Sequence, residues 1–166
     1  MHTIEPVIEE HGERPYASIR DSVRMDAFDT IAHRFGELVT WVTTQGSALA
    51  GAPFFRFHTV DLTGESDVEA GVPVTTLPPP EGDIRTGTLP GGRYATLRFT
   101  GHPDQLFDVA DELRTWAARQ GLAWDLTETP DGVEHWGCRL ESYLTDPRVE
   151  PDPNKWETEL SFRLAD

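Results

Sequence analysis

The sequence predicts an α+β fold made of two similar halves, and three observations carry that reading. Glu37-Leu38-Val39-Thr40-Trp41, followed by Gln45-Gly46, returns seventy-five residues later as Glu112-Leu113-Arg114-Thr115-Trp116, followed by Gln120-Gly121. A strand-like run precedes each helix: Tyr16-Ala17-Ser18-Ile19-Arg20 and Tyr94-Ala95-Thr96-Leu97-Arg98. Each half then reads strand, helix, strand, strand. The expected organisation is one domain over residues 1–166, with pseudo-repeats at about 4–76 and 83–165. Paired halves create a seam, and a seam is a favoured place for a ligand.

The elements follow from local pattern. An extended run spans about Ile4 to Val23, broken near Gly12 to Pro15. Asp26 can cap a helix running to about Thr44, whose apolar residues Phe28, Ile31, Phe35, Leu38, Val39 and Val42 step by three and four along one stripe. Gly46 ends it. Phe54 to Leu62 and Val68 to Thr75 flank a polar turn and read as a hairpin. Leu77-Pro78-Pro79-Pro80-Glu81-Gly82 is a stiff link between halves. The second half opens with a short strand, Ile84 to Thr88, a Gly91-Gly92 turn, and a main strand from Arg93 to Thr100. Pro103 suits the first position of a helix reaching about Gln120, with the stripe Leu106, Val109, Ala110, Leu113 and Ala117. A loop then leads to a strand from Trp136 to Tyr143, and a second loop to a final strand from Trp156 to Leu164. Across the halves, Val68-Glu69 corresponds to Thr158-Glu159, and His58 to Tyr143.

The formal net charge of -15 opposes nucleic acid, and no basic patch offsets it. Thirteen of the fourteen basic residues are Arg, Lys155 being the one lysine, a skew of the kind a GC-rich bacterial genome gives. Cys138 is the one cysteine, which excludes an intrachain disulfide and fits a reducing cytoplasm. No apolar run approaches a membrane span. The six histidines are scattered without ligand spacing, so neither a metal nor another cofactor is expected.

In order and spacing, several motifs resemble the GyrI-like, or AraC-type, effector-binding domain. They are Gly51-Ala52-Pro53-Phe54 with Phe57-His58, then Asp67-Val68-Glu69-Ala70-Gly71-Val72-Pro73-Val74, then Leu89-Pro90-Gly91-Gly92-Arg93-Tyr94-Ala95. Glu141-Ser142-Tyr143-Leu144-Thr145-Asp146-Pro147 and Trp156-Glu157-Thr158-Glu159 complete the set. The resemblance runs from about Ile4 to Leu164. It implies duplicated β-α-β-β units forming a curved antiparallel sheet, with two main helices on one face and a ligand cleft on the other. With too little chain before Tyr16 for a helix-turn-helix, it implies a stand-alone member. Transcription-factor relatives sense lipophilic, often cationic, drugs, and stand-alone members include drug-binding proteins. Others are hydrolases that open the cyclopropane of DNA-alkylating natural products, and a gyrase inhibitor. The expected partner is a hydrophobic or cationic small molecule; a protein partner is not identified.

Glu141 is the first candidate site residue. Strand alternation puts it on one face with Tyr143, near Trp136. A carboxylate among aromatics needs a cation or a donor, which suits a planar cationic ligand. The resemblance places a glutamate matching Glu141 at the base of the cleft, and an acid at Glu159. Two glutamates in one cleft would separate each other's pKa values. Glu157 shares the parity of Glu159, so either can face inward. His58, Phe55, Phe57 and Phe99 are the remaining candidate lining residues. For turnover, Glu141, Glu159 and Tyr143 are the expected acid-base groups. Trp41 and Trp116 occupy matching helix positions and are expected in the core. Cys138 is expected to be buried and inert.

Overall fold

A computed structural model describes residues 2–3 and 5–166. Ile4, the expected start of the first extended run, lies outside them. The chain forms β1 (His2–Thr3), β2 (Val7–His11), β3 (Arg14–Arg24), α1 (Asp29–Ala32), α2 (Phe35–Thr44), β4 (Phe54–Phe57), β5 (Thr59–Val60) and β6 (Glu65–Pro73). It continues with β7 (Ile84–Leu89), β8 (Gly92–Thr100), α3 (Leu106–Arg119), β9 (Leu126–Glu128), β10 (Glu134–Trp136), β11 (Arg139–Tyr143) and β12 (Glu157–Arg163). A single 3-10 turn, Pro103–Gln105, leads into α3. The fold is α+β, as the sequence predicts. One antiparallel sheet runs β8-β12-β11-β4-β6-β3-β7, with β1 and β2 both on the outer edge of β8.

The two halves meet at β4 and β11, and the registers define how they correspond. Tyr16 pairs with Pro73 and Tyr94 with Arg163, so aligning the two tyrosines aligns Pro73 with Arg163 and Glu69 with Glu159. Phe54 pairs with Gly71 and Leu140 with Ser161, which aligns Phe54 with Leu140. Phe55 is therefore equivalent to Glu141, and Phe57 to Tyr143. Glu141 also pairs directly with Phe55 across the seam, so the pseudo-twofold axis passes through that pair. This corrects the correspondence expected between His58 and Tyr143, which falls one residue out of register and on the wrong face. The edge strands are exchanged between halves: β2 leads into β3 but pairs with β8, and β7 leads into β8 but pairs with β3.

Period-2 alternation separates two faces. Ala17, Ile19 and Val72 meet Leu38 and Val42 of α2 on one face. On that same face Leu97, Phe99 and Leu160 meet Val109 and Leu113 of α3. Leu38 and Leu113 are fully buried, each worth roughly 1.5–3 kcal/mol relative to exposure. The opposite face carries its own small core of Tyr16, Phe54, Leu89, Tyr94, Cys138 and Leu140. Cys138 is buried there, and desolvation holds its thiol above the usual range.

Three local expectations change. The helix expected from Asp26 is broken at His33-Arg34, and Asp26 does not cap it. The break lets Phe28 and Phe35 both reach Phe55, with ring centroids 5.4 and 5.3 Å away. The run from Trp136 to Tyr143 is two strands in different sheets. β10 joins β5 and β9 in a three-stranded sheet, and the chain crosses to the main sheet at Gly137-Cys138. β9 falls in a stretch read as loop.

Gly71 shows how tightly the seam is packed. A Cβ there would lie 2.7 Å from Cζ of Phe54, a ring that is 2% exposed. Gly71→Ala is expected to cost about 1–3 kcal/mol, measured by urea denaturation. A stability equal to the parent protein would show that the Phe54 ring is free to move.

Candidate functional site

The site is built on the helix-bearing face, at the seam. Glu141 and Tyr143 stand two residues apart on β11, and the Tyr143 hydroxyl donates to Glu141 Oε1 at 2.7 Å. Protein surrounds both residues closely, yet each keeps some solvent-exposed surface. Rings of Phe35 and Phe55 pack edge-on to Tyr143, at 6.3 and 5.5 Å. Phe28 closes on both Phe55 and Phe57. The carboxylate therefore lies on the helix-bearing face, rather than on the face away from the helices. The reason is parity: Glu141 shares its face with Phe55 and Leu160.

Burial dominates the electrostatics. It pushes the Glu141 carboxyl upward, and the Tyr143 hydroxyl and the Arg139 charge only partly oppose it. Burial, followed by the charge of Glu141 and the bond to it, raises Tyr143 well above the usual phenol range. Arg139, two residues before Glu141, lies over Phe162, Trp136 and Phe57 at 4.4, 5.1 and 5.6 Å. Desolvation brings its guanidinium down to about 10, so it remains a cation at neutral pH. Its nearest anion is Glu134 at 3.8 Å, which is bound more tightly by Arg114 at 2.9 Å. The aromatic face is thus divided. Arg139 occupies the Phe57, Trp136 and Phe162 end, and Phe28, Phe35 and Phe55 cluster at the other, where Tyr143 bonds the carboxyl. A recess of about 230 Å³ opens beside α3, with Phe107, Arg114, Glu134 and Arg139 among its walls.

The other expected site residues separate. Phe55 and Phe57 are buried in the core on the same face as Glu141, Phe55 against Tyr143 and Phe57 beneath Arg139. Trp136 is buried beneath Arg139, and its Nε1 donates to Glu134 at 3.2 Å. Phe99 is fully buried under α3, in the outer wing of the sheet. Glu159 lies on the opposite face, because it pairs with Arg98 while Leu160 takes the place opposite Glu141. It accepts from Arg98 Nε at 2.9 Å. Glu157 has the same parity and also contacts Arg98. Neither acid shares a pocket with Glu141, so the expected pair of glutamates in one cleft does not form.

His58 is likewise away from Glu141. Its Nε2 lies 2.5 Å from Glu69 Oε1. Glu69 also accepts from the Tyr16 hydroxyl at 2.7 Å and from Ser18 Oγ. The Tyr16 oxygen in turn accepts from Arg56 at 3.0 Å. Burial would raise Glu69, but the hydrogen bonds from His58, Ser18 and Tyr16 outweigh it and hold the carboxyl at about 2. Glu69 is 4% exposed. This network was hidden in the sequence, although Glu69 stood in the aligned Val-Glu and Thr-Glu steps. Among the described residues no cluster of His, Cys, Asp and Glu is arranged to hold a metal.

The model of the GyrI-like small molecule binding domain matches residues 4–165, and the chain belongs to that family. No curated protein matches it. Solved structures share the fold. The EcmrR C-terminal domain is 20% identical with a TM-score of 0.76, and the match covers 98% of each chain. In the EcmrR–DNA complex the chain spans 57% of EcmrR, again at 20% identity, with a TM-score of 0.75. A hydrolase from Listeria innocua is 13% identical with a TM-score of 0.63, over 97% of this chain and 92% of that one. SAV2435 bound to tetraphenylphosphonium is 12% identical with a TM-score of 0.58, over 98% and 94%. No helix among the described residues is long and apolar enough to cross a membrane.

The two buried glutamates predict opposite pH behaviour. The folded-state value of Glu69 lies below its ordinary 4.5, so its stabilisation is present above about pH 4.5 and is lost as pH falls towards about 2. Glu69→Gln should lose on the order of 3 kcal/mol at pH 7, with the deficit shrinking in acid. Glu141 is raised, so its favourable contribution is full below the ordinary carboxylate range and fades as pH rises. Relative to the parent protein, Glu141→Gln should therefore become more stable between pH 4 and pH 8. Thermal melts across that range check both signs.

Proposed function

We propose that the helix-bearing face around Glu141 and Tyr143 binds lipophilic aromatic compounds, with a preference for positive charge. The observation that carries this reading is the Glu141–Tyr143 pair at 2.7 Å, half-buried, with the rings of Phe35 and Phe55 edge-on to Tyr143. Family membership supports it, because the family is one of small-molecule-binding domains. SAV2435, a structural neighbour, is bound to a lipophilic cation. Apolar burial and stacking supply most of the affinity, and the carboxylate sets the preference. Binding of a cation favours the ionised form of Glu141, so cation affinity rises with pH through the raised pKa of that group. Multidrug binding and sequestration is the role this chemistry fits.

A second reading rests on the same bond. A carboxyl pushed upward by burial and held by a phenol is a proton donor and acceptor. In a hydrolase of cyclopropane-containing electrophiles, Glu141 would donate its proton to the carbonyl conjugated to the ring. Water would add to the ring carbon as the strained C–C bond breaks, and its proton would return to Glu141. Tyr143 would hold the carboxyl in place. Glu159 has no part in this scheme, since it lies on the opposite face. A gyrase-inhibitor-like role has only the acidic surface in its favour.

Titrations with tetraphenylphosphonium and the neutral triphenylphosphine oxide test the first reading. Glu141→Gln is expected to weaken the cation by about tenfold and the neutral compound by no more than about twofold. Equal losses for the two would remove the charge preference, and no loss for either would remove the site. Product analysis with a cyclopropane-containing alkylator tests the second. Ring-opened product formed over many turnovers, and abolished in Glu141→Gln, is the expected result; stoichiometric binding without product excludes turnover of that compound.

A further inference from the structure

A separate recess of about 330 Å³ lies on the face opposite Glu141. Phe54, Pro73, Leu89 and Leu140 form apolar walls, and Arg14 and Glu159 bring opposite charges to it. The two charges are not equivalent. Glu159 is already engaged by Arg98, with Nε–Oε2 at 2.9 Å. Arg14 has no ion-pair partner among the described residues, and its Nε and Nη2 are buried without an acceptor. Its guanidinium lies 5.3 Å from the centre of the Tyr94 ring. Its charge reaches His11, where burial first and Arg14 second lower the imidazole pKa.

Two guanidinium nitrogens out of water without an acceptor are costly. They are the more conspicuous in a chain with 29 acidic residues, none of which is paired with them. A ligand carboxylate would relieve that cost, because its two oxygens match the fork of an arginine. The apolar walls would then cover a hydrocarbon tail. A volume near 330 Å³ has room for on the order of ten non-hydrogen atoms, at about 30 Å³ each. A phosphate would leave the walls unused, and an amine would meet Arg14 as a like charge. We propose that this recess is a second ligand site, that it takes a small lipophilic monocarboxylate, and that Arg14 holds the carboxylate. The proposal is independent of the reading given to Glu141.

The test uses the full chain and octanoate, followed by calorimetry and by backbone amide shifts. Octanoate is expected to bind one to one and to shift the amides of Gly51, Ala52 and Leu89. Octanol and octylamine are expected to bind at least about tenfold more weakly. Arg14→Met should lose about tenfold or more, whereas Arg14→Lys should retain part of the affinity. Glu159→Gln should match or exceed the parent protein, and Glu141→Gln should stay within about twofold of it. Equal binding of octanol overturns the proposal, as do full affinity in a folded Arg14→Met, shifts centred on Glu141 and Tyr143, or the absence of heat and shifts at millimolar octanoate. Should Arg14→Met not fold, the comparison of octanoate with octanol and the Arg14→Lys affinity decide alone.

Discussion

Three residue pairs between β4 and β11 join the two halves, and the rest of the structure is arranged around them. The central pair, Phe55 with Glu141, lies on the pseudo-twofold axis. A slip of one residue there would send Glu141 and Tyr143 to the opposite face and bring Leu140 and Ser142 among the helices. Both cores resist that slip. Phe55 and Phe57 are held by Phe28 on one face, and Phe54 is held against Gly71 and Tyr16 on the other. The position of the carboxyl is thus fixed by packing that has no chemistry of its own.

Symmetry in the backbone coexists with asymmetry in charge. At equivalent positions on the helix-bearing face one half has Phe55 and Phe57, and the other has Glu141 and Tyr143. At equivalent positions on the far face one half buries Glu69 beneath Tyr16, Ser18 and His58, and the other leaves Glu159 with Arg98. The buried acids then differ by environment. Glu69 accepts enough hydrogen bonds to overcome desolvation, so its charge is part of the scaffold. Glu141 has one such bond and a neighbouring arginine committed to aromatic rings, so desolvation prevails and its carboxyl is raised.

Much of this was legible from short-range pattern. The repeated Glu-Leu-x-Thr-Trp and Tyr-Ala-x-x-Arg segments mark equivalent helices and strands, and the apolar stripes of α2 and α3 identify their buried sides. Alternation correctly set Glu141 beside Tyr143. The same rule, applied within one strand, could not relate β11 to β12, because parity between strands depends on their register. Glu159 was therefore grouped with Glu141 although they face apart. The break at His33-Arg34 and the transfer of the chain between sheets at Gly137-Cys138 had no local signal, since each depends on where Phe55 and β5 lie.

The sequence by itself determined the duplication, the α+β class, the family, and the same-face placement of Glu141 and Tyr143, because each follows from periodicity or from ordered motifs. Only the tertiary structure decided which face carries the carboxyl, which acids share surroundings, and which cations have partners. Those depend on strand register and on side chains far apart in the chain: Arg139 over Phe162, His58 on Glu69, and Arg14 with Nε and Nη2 lacking an acceptor beside a recess lined from β3, β4, β7 and β11.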